Sequence, residues 1–309
     1  MKLISIVTPC FNEAENIQEI YVRVKEVMGS LPAYTYEHVF IDNASTDSTV
    51  MILKGIAAKD KNIKIIVNSR NFGHIRSPYY GLLQTKGEAA IIIAADFQDP
   101  PELIREFVRK WEEGYKLVVG VKKESKESPL MYWVRECYYN LVKKLSELEL
   151  IKNFTGFGLY DKAIIDIMRS MNDPYPYVRG IICEVGFERA TVPYAQPARK
   201  RGFTKNNLYA LYDLAMLGFV NHSKLPLRLS SFIGFGVSLL SVLFGLGYLI
   251  YKLVFWNTFQ GGVAPLVIGM FFMGGIQLFF LGVIGEYVGS IYTQVLKRPL
   301  VIEKERINF

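Results

Sequence analysis

Cysteine and histidine are scarce in this chain: three of each occur in 309 residues, and neither type falls at a metal-ligand spacing. Cys10, Cys137 and Cys183 stand far apart with no CxxC pair, which excludes a disulfide framework and a thiolate zinc site. They read as packed thiols of a reducing compartment. His38, His74 and His222 are equally dispersed, and only His74 falls in a loop close to the strand ends discussed below. No GxGxxG follows the first strand-like run and no GxxxxGK[ST] occurs anywhere, which excludes nicotinamide-dinucleotide and P-loop readings. A signal-peptide core is missing as well, because the short apolar run of MKLISIVTP passes through CF directly into polar NEAEN. The reading therefore leaves the large N-terminal region in the cytoplasm.

What the chain has in excess is apolar sequence. Half of its residues are hydrophobic, 21% are charged and the mean hydropathy is +0.18, too apolar for an ordinary soluble protein. The excess is localised. Leu229 to Tyr251 is free of charge and long enough to cross roughly 30 Å of hydrocarbon as a helix. After Lys252 and the polar turn Trp256 to Gly262, a second apolar stretch covers about residues 263–287. Together they predict a transmembrane hairpin, in which Gly285 and Gly289 permit close helix contact and hence a homo-oligomer. Arg199, Lys200, Arg201, Lys205, Lys224 and Arg228 precede the first span, and Lys297, Arg298, Lys304 and Arg306 follow the second. The turn between the spans carries no charge, so both termini are expected on the cytoplasmic side. The net charge of +7 thus has a membrane-side address. It does not lie along an aromatic platform, which argues against a nucleic-acid partner. Leu208, Leu211, Tyr212, Ala215 and Phe219 share one helical face and suit a helix at the membrane interface or an ordinary core-facing helix.

The first 120 or so positions alternate Val/Ile-rich runs with helical patterns: LISIVTP, HVFID, IKIIVN, AAIIIAAD and LVVGV, separated by helices over about 13–28, 48–57, 75–85 and 102–113. Such alternation predicts parallel strands joined by right-handed crossovers in a doubly wound α/β sheet. Ligands bind such sheets outside the carboxyl ends of the strands, here marked by Thr8-Pro9, Asp42-Asn43, Asn68 and Asp96. Carboxylates there suit a ribose or base and a hard divalent cation, pointing to a nucleotide diphosphate with Mg2+ or Mn2+. Asp96 and Gln98 are the candidate metal-side oxygens. Asp99, followed by Pro100-Pro101, reads as a helix N-cap, and Asp47 as another.

TPCFNEAENI, FIDNASTDST, NSRNFGHI and AADFQDPPEL, followed by YVRGIICEVGF, RKRGFTK and the two apolar spans, resemble family 2 glycosyltransferases of the polyprenyl-phosphate type. These include dolichyl-phosphate mannose synthase and bactoprenol glucosyltransferase. The resemblance implies a GT-A, Rossmann-like nucleotide-sugar domain over residues 1–205, a juxtamembrane interfacial region over 206–228, spans at 229–251 and 263–287 within 229–290, and a cytoplasmic tail over 291–309. It implies inverting transfer of a sugar from a nucleotide-diphosphate sugar, a UDP-sugar being favoured, to polyprenyl phosphate at the inner face of a bacterial-type membrane. By position it places Pro9, Asn12, Glu13, Asp42 and Asp96 at the nucleotide sugar and Asp96 with Gln98 at the metal. Asp96 and Arg135 would be catalytic, and Arg135, Arg199 and Lys205 would face phosphate. The alternative for these three cations is a basic face attracting anionic lipid.

Three positions depart from the pattern. Ala94 stands where relatives commonly carry the first carboxylate of Asp-x-Asp, Gly156 where many carry an Asp near the reaction centre, and Gln196 where Arg is frequent. No general base is identified, and the chemistry does not require one, because an acceptor phosphate is already ionised near neutral pH. The competing reading is a catalytically silent nucleotide-sugar-binding scaffold or regulator. A processive synthase is disfavoured by the hairpin alone and by the lack of a QxxRW motif.

Overall fold

The computed structural model describes residues 1–123, 151–197, 220, 225–255 and 263–309. Its centre is a parallel βα succession: β1 (Lys2–Cys10), α1 (Ala14–Gly29), β2 (Tyr34–Asp42), α2 (Thr49–Lys59), β3 (Ile63–Asn68), α3 (Gly73–Leu83) and β4 (Ala89–Ile92). A 3-10 turn (Pro101–Leu103) leads into α4 (Ile104–Glu112) and β5 (Leu117–Lys122). Later come β6 (Phe154–Asp161), α5 (Lys162–Met171), α6 (Val178–Glu184) and β7 (Arg189–Tyr194). Two long helices, α7 (Leu225–Val254) and α8 (Val263–Leu296), precede the last strand, β8 (Glu303–Ile307).

All eight strands join one sheet in the order β7-β5-β6-β4-β1-β2-β3-β8. The expected parallel core is present as β3-β2-β1-β4, and β5 pairs parallel with β7. The sheet as a whole is mixed, because β6 runs antiparallel between β4 and β5, and β8 runs antiparallel to β3. Ile4, Ile6, Phe40, Ile65 and Ile91 are fully buried, as expected of strands covered on both faces. Helix α1 packs one face through Ile17, Ile20, Val24 and Val27, at the three- and four-residue spacing of an amphipathic helix. On the other face α3, α5 and α6 close a second cluster around Tyr79, Tyr160, Ile164 and Ile181.

The two long helices bury none of their apolar windows, which have mean hydropathies of 2.1 and 2.2. Phe232, Phe244, Phe271 and Leu278 point away from protein, as side chains facing lipid do. The helices are longer than the spans read from sequence: the first begins at Leu225, inside the expected juxtamembrane region, and the second continues to Leu296. Apart from Val220 and residues 225–228, the juxtamembrane region and its Leu208–Phe219 face lie outside the described residues. Residues 291–309, expected as a tail, complete α8, turn at Lys297 (φ +47°) and then add β8 to the sheet edge. Val301 is buried there, and Asn308 donates its side-chain N–H groups to Ala57 O and Ile63 O, both at 2.9 Å.

Candidate functional site

The loops after β1, β2 and β4 each turn on a non-glycine residue in the left-handed region: Asn12 (φ +56°), Ala44 (φ +63°) and Phe97 (φ +62°). A bulky residue adopts that conformation only where surrounding contacts enforce it. Phe97 is held by burial in the core. Asn12 is held by its neighbours: its backbone N–H donates to Ser45 Oγ at 2.8 Å, and its Oδ1 accepts from Thr46 N–H at 2.7 Å. Glu13 N–H donates to Thr49 Oγ1 at 2.9 Å, so the β1 and β2 loops lock together. Asp47 completes the lock by accepting from Ala14 N–H at 3.2 Å and Thr49 N–H at 3.0 Å. The expected cap at Asp47 is corrected in position: the N-cap residues of α1 and α2 are Glu13 and Ser48, without side-chain cap bonds, and Asp47 instead ties together the first N–H groups of the two helices. Partial burial works to raise the Asp47 carboxyl, but the bonds from Thr49 and Ala14 outweigh it and hold its pKa below the ordinary value.

Beside these loops lies a cavity of about 540 Å3. Pro9, Glu13 and Asn43 line it from the β1 and β2 ends, Asn71 from the loop before α3, Gly73 and His74 from the first turn of α3, Thr155 and Gly156 from β6, and Tyr177 and Arg179 from the start of α6. Gly156 has φ +105°, a conformation that side chains rarely adopt, and open space where a Cβ would stand, so the wall is open at this position. Asn43 is nine-tenths buried and lies at the centre of a hydrogen-bond cluster. Its Oδ1 accepts from Phe72 N–H at 2.9 Å and Asn68 Nδ2 at 3.2 Å. Its Nδ2 donates to Asn71 Oδ1 at 2.9 Å and to Gly73 O at 3.1 Å.

The acidic side of the site is built after β4. Asp96 is nearly buried, and its Oδ1 accepts from Gln98 N–H at 3.1 Å. Asp99 lines the cavity, accepting from Ala94 N–H at 3.1 Å and from the Tyr194 hydroxyl at 3.1 Å. The expected role of Asp99 as a helix cap is thus corrected: the turn Pro101–Leu103 starts from Pro100 with no side-chain cap, and both Asp99 oxygens serve other groups. Burial, with the neighbouring Asp96 charge adding to it, pushes the Asp99 carboxyl up to about 6. The two neighbouring carboxylates, Asp96 and Asp99, offer oxygen of the kind a divalent cation takes. No group of three or more His, Cys, Asp or Glu side chains converges among the described residues, so such a cation would draw its remaining ligands from phosphate and water.

Of the residues expected at the nucleotide, Pro9 and Glu13 line the cavity, whereas Asn12, Asp42 and Asp96 are not among its lining residues; nor is Gln98, expected with Asp96 at the metal. Asp42 is not on the cavity lining. Its side chain is fully buried, it accepts from Ser45 N–H at 2.9 Å and from the Ser45 hydroxyl, and burial raises its pKa. Arg135, Arg199 and Lys205 lie outside the described residues. Asn43, Asn71 and Arg179 were not singled out as site residues, although each sits in a quoted motif: FIDNAS, NSRNFG and YVRG. A polar amide following a strand-end Asp, answered by two further asparagines, was the available signal.

Residues 5–169 match the glycosyl transferase family 2 profile. The bactoprenol glucosyl transferase of Shigella phage SfII is 34% identical over 303 residues, covering 98% of this chain and 97% of that protein. The uncharacterized glycosyltransferase YkcC of Bacillus subtilis is 37% identical over 299 residues, covering 96% and 92%. The prophage bactoprenol glucosyl transferase homolog of Escherichia coli K12 is 33% identical over 302 residues, covering 97% and 98%. Strand ends that gather carboxylates and amides around one cavity, without a phosphate-binding glycine loop, agree with this match, and the chain belongs to glycosyltransferase family 2.

Proposed function

We propose that this protein transfers a sugar, with inversion, from a nucleotide-diphosphate sugar to the phosphate of a polyprenol at the cytoplasmic membrane face. The observation that carries the reading is the cavity at the strand ends, with Glu13, Asn43 and Asp99 on its wall, in a chain that also has two helices able to span a membrane. The full-length similarity to bactoprenol glucosyl transferases supports the lipid acceptor.

Pro9 and Glu13 border the nucleotide, and Asp42 acts through the Ser45 loop it holds. Asp96 and Gln98 would hold Mg2+ or Mn2+, which when bound supplies positive charge to the leaving diphosphate. Arg179, on the opposite wall, adds a cation for a phosphate in the cavity. Arg135, Arg199 and Lys205 are assigned to the acceptor phosphate. At Gly156 no carboxylate is available to remove a proton, and none is needed when the nucleophile is an ionised phosphate oxygen attacking the anomeric carbon. Catalysis then rests on alignment and on charge placed before the reaction.

The test is incubation of the detergent-solubilised protein with undecaprenyl phosphate and a panel of UDP-, GDP- and dTDP-sugars, with and without Mn2+, followed by mass spectrometry of the lipid. A lipid heavier by one sugar supports the reading and names the donor. Nucleotide-sugar binding without a lipid product would favour a silent scaffold instead.

A further inference from the structure

Helix α8 has 34 residues and is about 51 Å long at 1.5 Å per residue, against roughly 30 Å of hydrocarbon. Its last turns therefore emerge from the apolar layer, and the exposed Lys297 and Arg298 that follow belong at the headgroups. Lys297 (φ +47°) ends the helix in the left-handed conformation and forms a joint between α8 and the sheet. Beyond this joint the chain is fixed to the domain: Val301 is buried, Ile302 O accepts from Ser69 N–H at 2.8 Å, and Glu303 accepts from the Tyr80 hydroxyl at 2.8 Å. Before the joint, Gln294 Nε2 donates to Asp173 Oδ1 at 2.9 Å, bridging from the helix back to the domain. The joint is thus tied on both sides, and it cannot swing without breaking a tie. Asp173 lies in the loop between α5 and α6, directly after Asn172 (φ +48°), and its Oδ1 also accepts from Tyr175 N–H at 2.9 Å. The Tyr175 ring lies 5.2 Å from the Arg76 guanidinium carbon of α3, and the residues that follow, Pro176, Tyr177, Val178 and Arg179, line the cavity. One carboxylate oxygen serves both the membrane helix and the turn that leads into the Arg179 wall.

We infer that Asp173 and Gln294 are positioning residues for the lipid acceptor: their hydrogen bond sets the angle between α8 and the domain, and so holds the Arg179 wall at the level where a membrane-anchored phosphate arrives. The inference rests on the proposed function and deepens it. A nucleotide sugar comes from water and reaches the cavity at any tilt of the domain. The acceptor phosphate is confined to a plane by its own chain, so tilt decides how often it meets the cavity. Loss of the bond therefore burdens the acceptor and spares the donor. The chemistry of the bond also dictates which side chains can replace the pair. Asp173→Asn keeps an oxygen for both Gln294 and Tyr175 N–H. Gln294→Glu sets a second carboxylate against Asp173 with no proton between them.

The experiment reconstitutes the full-length native protein, Asp173→Ala, Asp173→Asn and Gln294→Glu in vesicles of phosphatidylethanolamine and phosphatidylglycerol that contain undecaprenyl phosphate. It measures kcat and KM for the lipid and for the donor sugar that the native protein uses, with Tm in parallel. The same kinetics are taken in detergent micelles, where no bilayer plane confines the lipid. In vesicles Asp173→Ala and Gln294→Glu should raise the KM for lipid at least about threefold and leave the KM for donor within about twofold of native. The defect should shrink in micelles, and Asp173→Asn should stay close to native. Gln294 is exposed at the end of α8, so Gln294→Glu preserves the fold and decides the matter if Asp173→Ala does not fold. A smaller rise in lipid KM in the folded variants would overturn the inference. So would a donor KM that rises in step, an equal defect in micelles, or an Asn variant as impaired as the Ala variant. A native protein that glycosylates no lipid with any donor would sink the proposed function, and the inference with it.

Discussion

Tyr194, the last residue of β7, donates its hydroxyl to Asp99 at 3.1 Å, joining one edge of the sheet to the loop after β4. The Tyr194 ring packs edge-on against Phe157 with centroids 5.4 Å apart, so Tyr194→Phe removes an oxygen and little packing. Asp99 then keeps one hydrogen bond, from Ala94 N–H. A lost hydrogen bond to a buried charged group costs about 1.5–3 kcal/mol. Sugar transfer should fall roughly tenfold or more, with secondary structure intact by circular dichroism. Unchanged transfer would mean that this bond has no bearing on the site.

Asp47 accepts from the first N–H of both α1 and α2, and its removal should register in stability. Asp47→Ala leaves the Ala14 and Thr49 N–H groups to water. A loss of about 1–2 kcal/mol is expected, with Asp47→Asn intermediate, measured by denaturant or thermal melting of the solubilised protein. Equal stability of Asp47→Ala and native would contradict the stabilising role of these two bonds.

His38 gives the fold a pH dependence. It is fully buried, 2.9 Å from the Thr8 hydroxyl and stacked on Phe40, and burial pushes its pKa down to about 3. The unfolded chain binds a proton near pH 6.5 that the folded chain refuses, so stability is retained above that pH and lost as pH falls from 6.5 toward 3. The slope is about 1.4 kcal/mol per pH unit. Melting between pH 7.5 and 5 should show native losing more Tm than His38→Gln. Parallel curves would refute the assignment.

The C-terminal residues belong to the sheet. Tyr80 donates its hydroxyl to Glu303 at 2.8 Å, Ser69 N–H donates to Ile302 O at 2.8 Å, and Asn308 ties down the turn between α2 and β3. Deleting residues 303–309 uncovers β3 and discards several kcal/mol. At roughly 2–4 °C per kcal/mol, the Tm of the catalytic domain should drop by about 8 °C or more. A change within about 2 °C would assign these residues to a dispensable tail.

The parts of this fold visible in sequence are those whose signal is local. Helix α1 was expected over 13–28 and spans Ala14–Gly29, and the Val/Ile runs became β1 to β5. Strand β6 was hidden because close approach dictates its composition: a Cβ on Gly158 would come within 2.4 Å of Val118 O, so a poor strand former stands in its middle. Strand β8, EKERI, alternates intermediate and exposed positions on a sheet edge, and its charge made it resemble a solvated tail. Asp99 looked like a cap because Pro100-Pro101 follow it, whereas its actual partner, Tyr194, lies 95 residues away. The hub at Asn43 was similarly out of reach, since its meaning depends on the Asn68–Gly73 segment folding back over it.

The most direct measurement compares native protein with Asp96→Asn in transfer from the accepted nucleotide sugar to undecaprenyl phosphate at saturating Mn2+, following the lipid by mass spectrometry. The account predicts a lipid gaining one sugar with the native enzyme and a rate at least about 100-fold lower in the variant, at comparable Tm. Absence of glycosylated lipid from the native protein across the donor panel, or equal rates for the two, would contradict it.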